Sequence, residues 1–166
     1  MLDSLVQQFA GGSAGTMTNS ELHGGLDTLL GQAQPAHASG AIGEALQALG
    51  AGGFAQSVKS SAQQQAPNER GQIGSMLLRA IEHGGGSPNG VLGQLGIGTQ
   101  NPQAMSHSDL GTLAGYVAQH HGGALAGLLG SGAAGGGRGS SESTVLHLLG
   151  QPMVQQVAMK LAQRLL

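Results

Sequence analysis

Apolar residues recur at helical spacing along almost the whole chain, and sustained apolar–polar alternation is absent, which predicts an all-α fold. A first helix is expected over roughly residues 2–10, broken by the glycine-rich stretch 11–15. Thr18 and Glu21 fit a capping box, and Leu22, Leu26, Leu29 and Leu30 follow at i, i+4, i+7 and i+8, one stripe of a helix. Pro35 is expected to close that helix. Ser39 reads as the cap of a third, with Ile42, Ala45, Leu46 and Leu49, and Phe54 and Val58 mark a fourth that fades into Gln63, Gln64 and Gln65.

Pro67-Asn68-Glu69 opens the next helix, with Asn68 as its expected N-cap and Ile73, Met76, Leu77, Ala80 and Ile81 as its stripe. Gly84-Gly85-Gly86 stops it, and Ser87-Pro88 starts a short helix with Val91, Leu92 and Leu95. Further on, Ser106 caps, Asp109 takes the third helical position, and Met105 is placed to staple onto Leu110. That helix runs through Leu113, Ala114 and Val117 to His120 and His121, with Gly122 as its expected stop, and a short apolar piece carries Leu125, Leu128 and Leu129.

Residues 131–141, rich in glycine and serine, read as a flexible linker. Beyond it, Val145, Leu146 and Leu149 precede an interruption at Gly150-Gln151-Pro152, and Val154, Val157, Leu161 and Leu165 complete a last helix. Lys160 and Arg164 suit the negative end of its dipole. The expected organisation is a compact bundle of short glycine-punctuated helices over 1–130, a linker over 131–141 and a C-terminal helical segment over 142–166.

Composition sharpens this reading. Phe9, Phe54 and Tyr116 are the only aromatic residues, so the core must come from Leu, Val, Ile, Met and Ala. Such side chains reach native density only where backbones approach closely. Glycines number 32 of 166, far above the usual ~7%, and they suit close helix contacts and caps. Charged residues are 8% and the net charge is −2, which leaves little electrostatic protection against self-association. The six basic residues (Lys59, Arg70, Arg79, Arg138, Lys160 and Arg164) are spread along the chain, whereas phosphate binding needs them clustered. Without cysteine there is no disulfide, thiolate nucleophile or Cys-type zinc site. Met1-Leu2-Asp3-Ser4 shows no basic region followed by an apolar run, and no window approaches the ~18 apolar residues of a membrane span. A cytoplasmic location is the expectation.

Two stretches carry a resemblance. Tyr116-Val117-Ala118-Gln119-His120-His121-Gly122-Gly123-Ala124-Leu125, and more loosely Phe54-Ala55-Gln56-Ser57-Val58, resemble the YidB-like group of bacterial proteins, a small-helix architecture. The resemblance covers little of the chain and implies a fold rather than an activity. It carries over no functional residue.

Short motifs with chemical associations have bland explanations here. Gly11-Gly12-Ser13-Ala14-Gly15 spells G-x-S-x-G, but a nucleophile elbow needs a strand before it and a helix after it, and here a helix is expected to precede it, so it reads as a loop. Gly130-Ser131-Gly132-Ala133-Ala134-Gly135 spells G-x-G-x-x-G without the strand or the later acidic residue of a dinucleotide site, and reads as linker. Of the seven histidines, His120 and His121 are adjacent and so point about 100° apart on a helix. His83, His120 and His121 fall at helix C-termini, and His23, His37, His107 and His147 are scattered. No catalytic residue, cofactor site or metal ligand is assigned.

The strongest interaction signal is the amphipathic last helix after its linker. Val154, Val157, Leu161 and Leu165 are the candidate contact residues, either for another chain or for docking back on their own domain. The expected function is a non-enzymatic structural or protein-interaction protein that acts through helix packing and associates with itself. Two alternatives are a small-molecule or metal-binding module and a nucleic-acid-binding adaptor, the latter nucleated by Lys59, Arg70 and Arg79.

Overall fold

Pro35, expected at the end of a helix, stands at the start of one, because its missing N–H costs nothing at the first helical position; Gln34 is the cap residue before it. The computed structural model describes residues 4, 7, 11, 16, 18–134 and 151–165. Among them are seven α-helices: α1 (Asn19–Gln32), α2 (Pro35–Gln63), α3 (Pro67–His83), α4 (Pro88–Gln94), α5 (His107–His120), α6 (Gly122–Ala134) and α7 (Gln151–Leu165). A 3-10 turn, Pro102–Ala104, lies between α4 and α5. No strand occurs among the described residues, and the chain is an all-α bundle. None of its described helices is long and apolar enough to cross a membrane. Most of the helix expected over 2–10, the residues 12–15, and Val145, Leu146 and Leu149 lie outside the described residues.

Start signals made of side-chain hydrogen bonds behave as the pattern predicts. At α1 the Glu21 carboxylate accepts from the Thr18 backbone N–H at 2.9 Å and from its hydroxyl at 2.8 Å. At α5 the Ser106 hydroxyl oxygen accepts from the Asp109 N–H at 3.1 Å, and the Asp109 carboxylate accepts from the Ser106 N–H at 3.1 Å. At α3 proline decides instead: Pro67 occupies the first turn, so the cap residue is Ala66 and Asn68 lies inside the helix.

The predicted third and fourth helices are one kinked element, α2. At its bend Gly50 has φ +68° and ψ 171°, a backbone that a residue without Cβ adopts freely, so the chain turns and continues instead of stopping. Ser39 is not a cap: it lies inside α2, and its hydroxyl donates to the Ala36 carbonyl at 3.2 Å. Gly122 likewise opens α6 rather than ending α5, whose C-cap is His121. Because α6 runs to Ala134, the helix includes the first part of the predicted linker; residues 135–141 lie outside the described residues.

α2 is the axis of the bundle, and α5, α6 and α7 all pack against it. Glycine permits the close approach. A Cβ at Gly111 of α5 would lie 3.2 Å from the Ala55 carbonyl oxygen and 3.0 Å from the Lys59 Cβ, and one at Gly115 would lie 3.2 Å from the Ala55 Cβ. At the end of α6, a Cβ at Gly130 would lie 2.7 Å from the Ser39 backbone nitrogen. Tertiary contact of this kind explains why a glycine-rich segment stays helical there, since most helix stability in proteins comes from packing. Leu, Ile, Val, Ala and Met fill the core around the fully buried Phe54.

Candidate functional site

From Met153 to Ala162 the sequence pairs apolar residues, Met153-Val154, Val157-Ala158 and Leu161-Ala162, with the intervening positions mostly polar. At 3.6 residues per turn these pairs fall on one face of α7. All six are 0% exposed, so the face is wholly covered. What covers it is the chain itself, because α7 packs against α2 and α1. Val154, Val157 and Leu161 of the candidate contact set therefore face their own domain, and Leu165 is half-buried at the end of the helix.

α1 depends on this arrangement. Its main packing partner is α7, with a smaller contact to α6, although α2 follows it in the chain after only Ala33 and Gln34. Leu22, Leu26 and Leu29, at most 1% exposed, are thereby closed off with help from the far end of the sequence. α7 is wedged between α1 and α2.

A polar contact marks the rim. The Arg164 guanidinium lies over Gly40 of α2 and donates from Nη2 to the Glu44 Oε1 at 2.5 Å. Gly40 and Glu44 are one turn apart, so bare backbone and carboxylate form one platform. The Arg164 hydrogen bond holds the Glu44 carboxyl below its ordinary value; partial desolvation opposes this, and the charges of Arg164 and Lys160 add to it. The side chains of Arg164 and Glu44 keep 35% and 43% of their surface exposed, which makes this an orienting contact rather than a buried ion pair.

A second polar corner lies where α5 meets the end of α3. His121 fits against Gly84 and Gly86, where any Cβ would collide with its ring or with Ile81. The Tyr116 ring is 4.5 Å from His120 and 6.0 Å from His121. His83 ends α3, His107 starts α5, His37 lies on α2 and His23 on α1, and His147 lies outside the described residues. Among the described residues no group of three or more His, Cys, Asp or Glu is placed to hold a metal ion. Of the basic residues weighed for nucleic acid, the Lys59 stem lies against Gly111, Arg70 is half-buried and Arg79 is exposed.

Sequence reasoning missed the Gly40–Glu44 platform and the glycine notch that holds His121. The first had a usable signal: Gly40 and Glu44 are spaced i, i+4, as are Lys160 and Arg164, with opposite charge. The second had none, because it joins the ends of two helices distant in the chain. Compared with protein-family models, curated proteins and solved structures, the chain matches none.

Proposed function

We propose that this chain is a structural or protein-interaction protein that acts through helix packing and associates with itself, without catalytic chemistry of its own. The observation that carries the reading is the seat of α7: a terminal helix, separated from α6 by residues 135–150, lies in a groove between α1 and α2 with its entire apolar face covered. Such a groove recognises an amphipathic helix by its apolar spacing. A chain with only 8% charged residues and a net charge of −2 opposes contact between copies only weakly. A relation to the YidB-like group and a cytoplasmic setting belong to the same proposal; the stretch that resembles that group, Tyr116 to Leu125, spans the junction of α5 and α6.

Molar mass by size-exclusion chromatography with light scattering, over a wide concentration range, tests the reading. A discrete oligomer or a growing polymer supports it. A strict monomer at every concentration overturns it.

A further inference from the structure

We infer that the groove between α1 and α2 accepts α7 from a second copy of this chain, so that copies associate by exchanging their C-terminal helices. The inference rests on the self-association proposed above and names the segment that performs it.

Three observations lead to this occupant. The groove is shaped for one helix pattern: apolar pairs at Met153-Val154, Val157-Ala158 and Leu161-Ala162, then a cation at Arg164 that reaches Gly40 and Glu44. A second copy supplies that pattern by identity. α7 is also joined to the bundle only through residues 135–150, a span that includes Gly135, Gly136, Gly137, Gly139, Ser140 and Ser141. Finally, α1 packs mainly on α7, so a vacated groove would expose Leu22, Leu26 and Leu29 together with the apolar face of α2, and an incoming α7 covers both.

The closed and exchanged forms contain the same helix–groove contacts, so their balance is set by how concentrated the chain's own α7 is at its groove. For a helix tethered to its own groove through a span as short as residues 135–150, that effective concentration is on the order of mM. Exchange is therefore rare at μM protein and substantial near mM protein.

The absence of cysteine allows single thiols to be placed at will. Full-length Glu44→Cys and Arg164→Cys chains, mixed in equal amounts near mM concentration and treated with a short bis-maleimide, report which residues of two copies meet. The double variant Glu44→Cys/Arg164→Cys in one chain, at μM concentration, checks the reach of the reagent. It should close within the chain, and its failure to do so would overturn the proposed seat. Exchange predicts at least threefold more of the dimer linking position 44 to position 164 than of either like-with-like product. A statistical mixture of dimers, in a sample that light scattering shows to be oligomeric, would overturn exchange and leave self-association standing. A monomer at all concentrations, with no 44–164 dimer, would overturn both.

Discussion

The guanidinium of Arg164 lies so close over Gly40 that a Cβ on residue 40 would stand 2.6 Å from its Nη1. Two residues more than 100 positions apart thus share one surface, and the glycine acts by having no side chain. The cation that meets Glu44 beside it closes the bundle at the rim of the α7 groove.

Acid should loosen this end of the bundle. The folded Glu44 carboxyl titrates below its ordinary value of 4.5, held there first by its hydrogen bond from Arg164. A depressed carboxyl contributes stability that is complete above its unfolded value and disappears as the pH falls through its folded value. Denaturant titrations of the parent chain and of Glu44→Gln should differ by a constant amount at neutral pH and converge as the pH falls below 4.5 and through the depressed folded value. Gly40→Ala, which displaces the guanidinium, should behave like Glu44→Gln, and added salt should shrink the difference in the parent.

Glycine substitutions should sort by what a Cβ meets. At Gly130 it meets the backbone of Ser39, so Gly130→Ala must push α6 off α2 and is expected to cost about 1–3 kcal/mol. At Gly24, inside α1, it meets nothing within 4 Å. Gly24→Ala should therefore stabilise by about 0.5–1 kcal/mol through helix propensity alone. Chemical denaturation of the two variants checks the opposite signs.

Leu161 is a core residue of its own chain, 0% exposed. Leu161→Ala should cost about 2–5 kcal/mol, the usual range for emptying a buried leucine site. Circular dichroism of Leu161→Asp should show a loss of helix as well as any change in mass, because the new carboxylate would be buried without a partner. The residue reports on the fold itself.

Ser57 is 5% exposed on α2, and its hydroxyl oxygen is buried without a hydrogen-bond partner. Removing an unsatisfied buried polar atom relieves a penalty of about 1–3 kcal/mol, and alanine suits a helix better than serine. Ser57→Ala should raise the thermal midpoint, and a fall would show that the hydroxyl has a partner.

Most of the helical content was legible because amphipathic spacing is a local property. The stripe Leu22, Leu26, Leu29 and the stripe Ile73, Leu77, Ala80, Ile81 are both buried as the spacing requires. The ends were less legible. Pro35 and Gly122 are start residues that resemble stops, since proline and glycine occur on both sides of a helix boundary. Gly50 bends α2 without ending it, and no local signal separates a bend from a break. In the candidate site, the apolar face of α7 was plain in the sequence, but the surface it covers was not.

By itself the sequence determined that this chain is helical, that its core is aliphatic and almost free of aromatics, and that α7 has one apolar face. Those are statements about spacing and composition, and each depends only on residues within a few turns. Tertiary structure alone decided where that face goes. Burial of Val154, Val157 and Leu161 needs partners on α1 and α2, and apolar burial has no direction until backbones come close. The glycines at 111, 115 and 130 set how close α5 and α6 come to α2, Gly40 admits the Arg164 guanidinium, and a glycine that admits a neighbour is written the same way as one that only ends a helix.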